Sequence, residues 1–190
     1  IVFILFILLT YAYDKLYPLN DSYSQFGQDL DVIDYLKNKR RGYFVDVGAA
    51  NARELSNTYL LEKKYHWKGI CIEPQDNYYN DLKNNRNCIV DNSLLYSEKG
   101  KVFDFSETNN GLAGITKHID KHLQAKQSKQ IKKTSDTLNN LLIKYNAPKY
   151  IDYMSLDTEG SELEILKGID HNKYKFKIIT IEHNHVEPRR

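Results

Sequence analysis

The sequence predicts an α/β fold, an open Rossmann-like sheet with helices on both faces, and three segments carry that prediction. Tyr43-Phe44-Val45-Asp46-Val47-Gly48-Ala49 reads as a buried strand that opens into a glycine turn. Lys68-Gly69-Ile70-Cys71-Ile72 reads as a second strand closing on Glu73-Pro74, and Ile151 to Leu156 as a third running into Asp157-Thr158-Glu159-Gly160. Short apolar runs alternating with stretches of helical spacing are the pattern of a doubly wound sheet.

The remaining elements follow in chain order. Ile1 to Leu9 is an unbroken apolar run, followed by Thr10-Tyr11-Ala12-Tyr13 and the charged pair Asp14-Lys15. Such a run is shorter than the ~20 residues that cross a bilayer. The chain opens on Ile rather than Met, so a longer segment upstream is expected. The tail of a membrane anchor, a signal-peptide core and a buried helix or strand all fit; tyrosines at the end of the run suit a membrane interface and favour the anchor. Residues 1–18 are therefore assigned as a hydrophobic N-terminal segment, and residues 19–190 as one folded domain. The expected location is membrane-associated through that single anchor and otherwise cytoplasmic.

Ser24 to Lys39 predicts a helix with Phe26, Leu30, Ile33 and Leu36 inward and Ser24 as its cap. After the Tyr43 strand, Ser56-Asn57-Thr58 offers caps for a helix bearing Tyr59, Leu60 and Tyr65. Asp76 to Asn85 reads as a short helix and Cys88-Ile89-Val90 as a short strand. Lys101 to Phe105 alternates polar and apolar residues like a half-buried edge strand. Ser106 to Lys133 is irregular and becomes lysine-rich; Ser135 to Tyr145 is helical, with Leu138, Leu141 and Leu142 on one face. A helix carrying Leu163, Leu166 and Ile169 inward follows the Asp157 strand, and Lys177 to Ile181 is the last strand, ending on Glu182-His183-Asn184-His185.

Composition narrows the function. A net charge of +2 on 190 residues is too small for a nucleic-acid binder. Cys71 and Cys88 fall in predicted strands, where a buried inert thiol is the first reading, and they make no metal spacing or disulfide framework. Lys117, Lys121, Lys126, Lys129, Lys132 and Lys133 form a basic stretch that suits either a solvated flank or a phosphate-bearing or membrane partner. Asn20-Asp21-Ser22 fits an N-glycosylation acceptor, which matters only in a secretory lumen.

The turn after the first strand selects the ligand class. Gly48-Ala49-Ala50-Asn51-Ala52-Arg53 holds one glycine, whereas a dinucleotide pyrophosphate needs close backbone contact at two. NAD and FAD are disfavoured, and a phosphate-free nucleoside cofactor such as S-adenosylmethionine needs only the first glycine. Glu73, at the end of the next strand, sits where an acid takes ribose hydroxyls. Asp157 and Glu159 lie in a strand-to-helix turn at the carboxyl edge, where both can face one crevice, while Glu159 or Ser161 can cap the helix. Glu162 reads as a capping or solvated residue. His183 is a candidate general base, and its alternative is an exposed histidine.

Taken in order, Ser24-Gln25-Phe26-Gly27-Gln28-Asp29, Phe44 to Ala49, Ser56-Asn57-Thr58, Gly69 to Pro74 and Leu156 to Glu162 resemble the FkbM family of S-adenosylmethionine-dependent methyltransferases. The resemblance covers residues 24–190. It departs from the family pattern at Asn51-Ala52, where an acid or second glycine is usual, and the chain stops soon after the fifth strand. It implies a class I methyltransferase sheet lacking the C-terminal strands in this chain, with residues 19–190 as the methyltransferase domain. The implied reaction is methyl transfer to a hydroxyl of a sugar, glycan or related natural product; a catalytically inactive binding module of the same fold is the alternative. The resemblance places Asp46, Gly48, Ala50 and Asn51 in the cofactor loop, Glu73 on the ribose, Asn92 beside the adenine and Asp157 between methionine and substrate. Asp157, Glu159 and His183 are the catalytic candidates. No metal is assigned, although Asp157 with Glu182 or His183 could gather a divalent cation as in some O-methyltransferases.

Overall fold

The computed structural model describes residues 22–119 and 122–182. Five parallel strands form the main sheet in the order β3-β2-β1-β8-β9: β1 Tyr43–Val47, β2 Lys68–Ile72, β3 Ile89–Asp91, β8 Tyr150–Leu156 and β9 Lys175–Ile181. β1 and β8 are buried almost throughout, because helices cover both faces and leave no solvated side to alternate towards. On one face Phe44, Cys71 and Tyr153 pack against helices α1 (Gln28–Tyr35), α2 (Tyr59–Lys63) and α3 (Asp76–Asn85). On the other, Val45, Val47, Ile70, Ile72 and Leu156 pack against α5 (Leu138–Lys144) and α6 (Glu162–Lys167).

A second sheet is inserted between β3 and β8. Its order is β4-β7-β5-β6, with β4 Leu94–Leu95, β5 Val102–Ser106, β6 Gly114–Ile115 and β7 Gln130–Asp136, and the short helix α4 (Leu123–Lys126) lies between β6 and β7. Leu94, Tyr96, Phe103, Phe105 and Ile115 give it a small core of its own.

Several expectations are corrected. The first helix begins only at Gln28, because Gly27 is left-handed at φ 82° and the carboxylate of Asp29 gathers Ser22 Oγ, Ser24 Oγ and the Tyr23 amide. Ser24 therefore serves that knot and not a cap, and Phe26, outside the helix, is 79% exposed. The helix stops short of Lys39 because Lys37 and Asn38 are left-handed and the Asn38 amide turns back to the Ile33 carbonyl.

β5 is flanked by β7 and β6, so the expected edge strand is interior to the second sheet. The end of the lysine-rich stretch is strand: Lys132 and Lys133 lie in β7, Lys132 Nζ is 2.6 Å from Asp104 directly across the ladder, and Lys129, just before β7, reaches Glu107 at 2.7 Å. These pairs make that part a solvated flank. Ser135 and Asp136 end β7, and α5 starts at Leu138 because Thr137 Oγ1 accepts the Asn140 amide. Leu163 is 61% exposed; α6 turns Ile165 inward instead. Residues 1–21 and His183 to Arg190 lie outside the described residues, so the expected anchor and the glycosylation triplet's first two residues do too. Among the described residues, no helix is long and apolar enough to cross a membrane.

Arg86, just past α3, ties the first face together. Its side chain is fully buried and donates to Glu62 Oε2 at 3.0 Å, to Thr58 Oγ1 at 2.9 Å, to Ser56 Oγ at 3.2 Å and to the Ala52 carbonyl at 3.3 Å. Glu62 also takes the Asn87 and Cys88 amides, and the Arg86 charge holds its carboxyl below the usual range against the opposing effect of burial. Arg86→Ala leaves Glu62 with the partly exposed Lys63 in place of a buried guanidinium and is expected to lower stability by roughly 3–5 kcal/mol in urea unfolding. Arg86→Lys should recover little, since an ammonium cannot reproduce the planar fork; full recovery by Lys would contradict this account.

Candidate functional site

The chain runs outward from β1 to β2 and β3, then returns through the second sheet to β8 on the other side of β1. This reversal leaves a crevice between the carboxyl ends of β1 and β8, the place where open α/β sheets take ligands. The strand ends are zipped together around it: the Asp157 amide donates to the Val47 carbonyl, the Gly48 and Ala49 amides to Ile72, the Glu73 amide to Asp91, and the Glu182 amide to Leu156. Gly48 is left-handed at φ 77°, and a Cβ there would fall 1.7 Å from the Asp157 carbonyl oxygen. Only glycine lets these two turns pass so closely.

A partly open cavity lies at this point. Gly48, Glu73, Pro74, Asp157, Thr158 and Ser161 form its floor, while Tyr78 of α3, Ser93, Leu94 and Leu95 line one wall. Phe105, Gly111, Ala113, Gly114 and Ile115 of the second sheet and its loops close it from above.

Glu73 is 5% exposed, with Oε1 accepting the Gln75 amide at 2.8 Å and Oε2 the Ala50 amide at 3.0 Å. Burial pushes its carboxyl up to about 7, against the pull of these two amides. Gln75 in turn clasps Thr108: its Oε1 accepts the Thr108 amide at 2.8 Å and its Nε2 donates to the Thr108 carbonyl at 2.6 Å. The loop that closes the cavity is thereby fastened to the acid on its floor.

At the end of β8, Glu159 and Gly160 are left-handed, and Glu162 holds their turn in place. Glu162 Oε1 accepts Thr158 N, Thr158 Oγ1 and Gly160 N at 2.8 to 3.0 Å. This residue, expected to be a cap or solvated, is 3% exposed. Ser161 occupies the N-cap position, but its hydroxyl donates to Thr158 Oγ1 instead of capping. Asp157 is open to the cavity, yet its carboxyl is crowded by protein. That crowding, the charge of Glu182 and a hydrogen bond shared with Glu182 push it well above the ordinary carboxylate range. Asp157, Glu159 and Glu182 bring one oxygen each within 4.8 Å of one another, a grouping that could gather a cation. His122 Nε2, from the inserted segment, lies 3.6 Å from Glu159 Oε2.

Among the sequence candidates, Gly48, Glu73 and Asp157 line one cavity. Ala50 contributes its amide to Glu73, and Asn92 Nδ2 donates to the Glu73 and Pro74 carbonyls, so both act on the wall and not in the lining. Asn51 is half-buried in the β1 turn and outside the lining. Asp46 lies beneath the turn, 3% exposed, where its carboxylate accepts Thr58 Oγ1 at 2.6 Å; burial raises its pKa. Glu159 is buried beside Asp157, and His183 lies outside the described residues. Sequence reading missed Tyr78, Ser93, Phe105 and Ile115. The first carries a usable signal, since Tyr78 and Leu82 are spaced four apart on the buried face of α3.

A parallel α/β sheet covered by helices on both faces is of the Rossmann-like class. Residues 46–190 match the methyltransferase FkbM domain, and the chain belongs to that family. No curated protein and no solved structure matches it significantly.

Two outcomes are expected. Gly48→Ala combines a left-handed backbone with a collision against Asp157, so urea unfolding should show a loss of about 3 kcal/mol; wild-type stability would refute the close approach. The second concerns pH. A carboxyl raised in the folded state adds stability that is complete below its unfolded value of 4.5 and is lost as pH rises through about 7. Stability should therefore fall between pH 5 and pH 8, with Glu73 contributing about 3 kcal/mol of the decline. Glu73→Gln should flatten that slope, whatever fixed offset it adds; an unchanged slope would remove Glu73 as its source.

Proposed function

We propose that this protein is a class I, S-adenosylmethionine-dependent O-methyltransferase acting on a hydroxyl of a sugar, glycan or related natural product. The observation that carries this reading is the convergence of Gly48, Glu73 and Asp157 on one cavity at the point where the strand order reverses. The donor set suits a nucleoside. A carboxylate has about four lone-pair positions. The two backbone amides on Glu73 leave two for a vicinal diol. Phe105, Ile115 and Tyr78 offer apolar surface to a base.

When bound, S-adenosylmethionine supplies an electrophilic methyl group on a sulfonium. Glu73 anchors the ribose and so sets the depth of the ligand in the crevice. Asp157 lies on the floor with Glu73 and has an elevated proton affinity, so it can accept the proton of an acceptor hydroxyl or hold that hydroxyl in line. The loop clasped by Gln75 excludes water from the floor. Positioning of this kind carries much of the rate in a displacement at carbon. A tether through residues 1–18 and a glycan or glycolipid acceptor belong to the same proposal.

Calorimetric titration of S-adenosylhomocysteine into the full chain tests the reading. Micromolar binding is expected, weakened roughly 10- to 100-fold by Glu73→Ala through the lost hydrogen bonds to a charged group. If the folded wild type binds nothing, the reading fails, and the departure at Asn51-Ala52 then fits a catalytically inactive binding module.

A further inference from the structure

Cys71 and Cys88 are the chain's two cysteines, and both are free. Cys71 pairs with Val90 in the β2–β3 register, and Cys88 stands two residues before Val90. Two residues along a strand restore the same face. Cys71, Cys88 and Val90 accordingly share one hydrophobic cluster. The sulfurs are 3.3 Å apart, with Cys88 Sγ donating to Cys71 Sγ. Bringing them to a bonding distance near 2.05 Å needs a shift of about an ångström. The two thiols differ in access: Cys71 is completely buried, while Cys88 is half-buried where the chain leaves Arg86 for the edge strand β3.

We propose that Cys71 and Cys88 form a redox-active dithiol that closes to a reversible intrachain disulfide when the folded protein meets a peroxide. Cys88, the accessible thiol, attacks hydrogen peroxide; an S–O bond forms, the O–O bond breaks, and the first water leaves, giving the sulfenic acid. Cys71 then attacks the Cys88 sulfur. The S–S bond forms, the S–O bond breaks, and the departing hydroxide takes the Cys71 proton as a second water. Two electrons pass from the sulfur pair to one peroxide, and an external dithiol reverses the closure by exchange.

Two features of the surroundings support this pairing. Burial pushes the Cys71 thiol well above its ordinary value while the neighbouring Arg86 charge opposes that rise, so Cys71 is the protected partner and the more accessible Cys88 is the thiol that meets peroxide first. Arg86 also carries a favourable charge interaction with both sulfurs, which places the pair beside a fixed cation. The bond would span β2 and the entry to β3, the strand pair that carries Glu73 at its far end. Closure would pin this sheet edge and constrain the unfolded chain, so the oxidised form should melt several degrees higher.

Mass spectrometry of the folded chain after stoichiometric hydrogen peroxide is the test, and it needs no ligand or activity. The single methionine, Met154, is fully buried, so early mass changes report on the cysteines. The expected result is a loss of two hydrogens, a linked Cys71–Cys88 peptide in the digest, and recovery of both thiols with dithiothreitol. The loss should vanish in Cys88→Ser. Sulfinic or sulfonic acid at Cys88 with Cys71 still free, a disulfide between two chains, or two unreacted thiols would each overturn the proposal. Because wild-type protein alone gives the linked peptide, a poorly folding variant does not blunt the test.

Discussion

Two turns of this fold approach each other so closely that only glycine fits between them, and the site depends on that approach. β1 lies in the middle of the sheet with β2 on one side and β8 on the other. The three strands end at nearly the same level, joined by amides that donate from one turn to the last carbonyl of the next. Gly48 has no Cβ, so the Asp157 carbonyl can pass directly over it. With any side chain at position 48, the β1 and β8 turns would have to separate. Asp157 would then leave the crevice floor and Glu73 would lose its common level with it. A local conformational freedom thus sets the spacing of the two acids that give the cavity its chemistry.

That chemistry is dominated by negative charge with little compensation. Asp46 under the turn and Glu73 and Asp157 on the floor are all raised by burial, and Asp46 is among the causes that raise the other two. Arg86 opposes the rise at Asp46, but its guanidinium is committed to Glu62, Thr58, Ser56 and Ala52. Retaining several acids in a low-dielectric crevice is costly unless something binds there. A ligand that donates hydroxyl protons to Glu73 and brings a cationic centre towards Asp157 would relieve that cost, and a sulfonium nucleoside combines both features.

The second sheet gives the crevice a roof. It has a core of its own, and its loops meet the first sheet through Gln75, whose amide pairs with Thr108 as a neighbouring strand would. Gly111, Ala113 and Gly114 are small, which lets this loop lie close over the floor. At Gly114 an added Cβ would already meet Glu159 and the Thr158 carbonyl at 3.2 Å. Recognition of an acceptor would therefore fall to an element that the parallel sheet does not itself supply.

The residues themselves determined the parallel sheet, because a buried strand must be apolar along its whole length and a turn of left-handed backbone favours glycine. The segments around Phe44, Ile70 and Ile151 are legible for the first reason and Gly48 for the second. Glu73 was legible because its place at a strand end is a matter of local spacing. What local spacing could not contain is which distant segments meet. The alternation from Lys101 to Phe105 reads as a strand but does not name β7 as its partner, so the second sheet and the roof residues Phe105 and Ile115 were invisible. Glu162 read as a cap or as solvated because its donors, on Thr158 and Gly160, are local, while its burial is set by the packing around that turn. The contact between Cys71 and Cys88 was invisible because it is set by the register of β2 on β3. Each of these was decided only by tertiary structure, since the interaction energy arises between groups that the chain brings together after the sheet has formed.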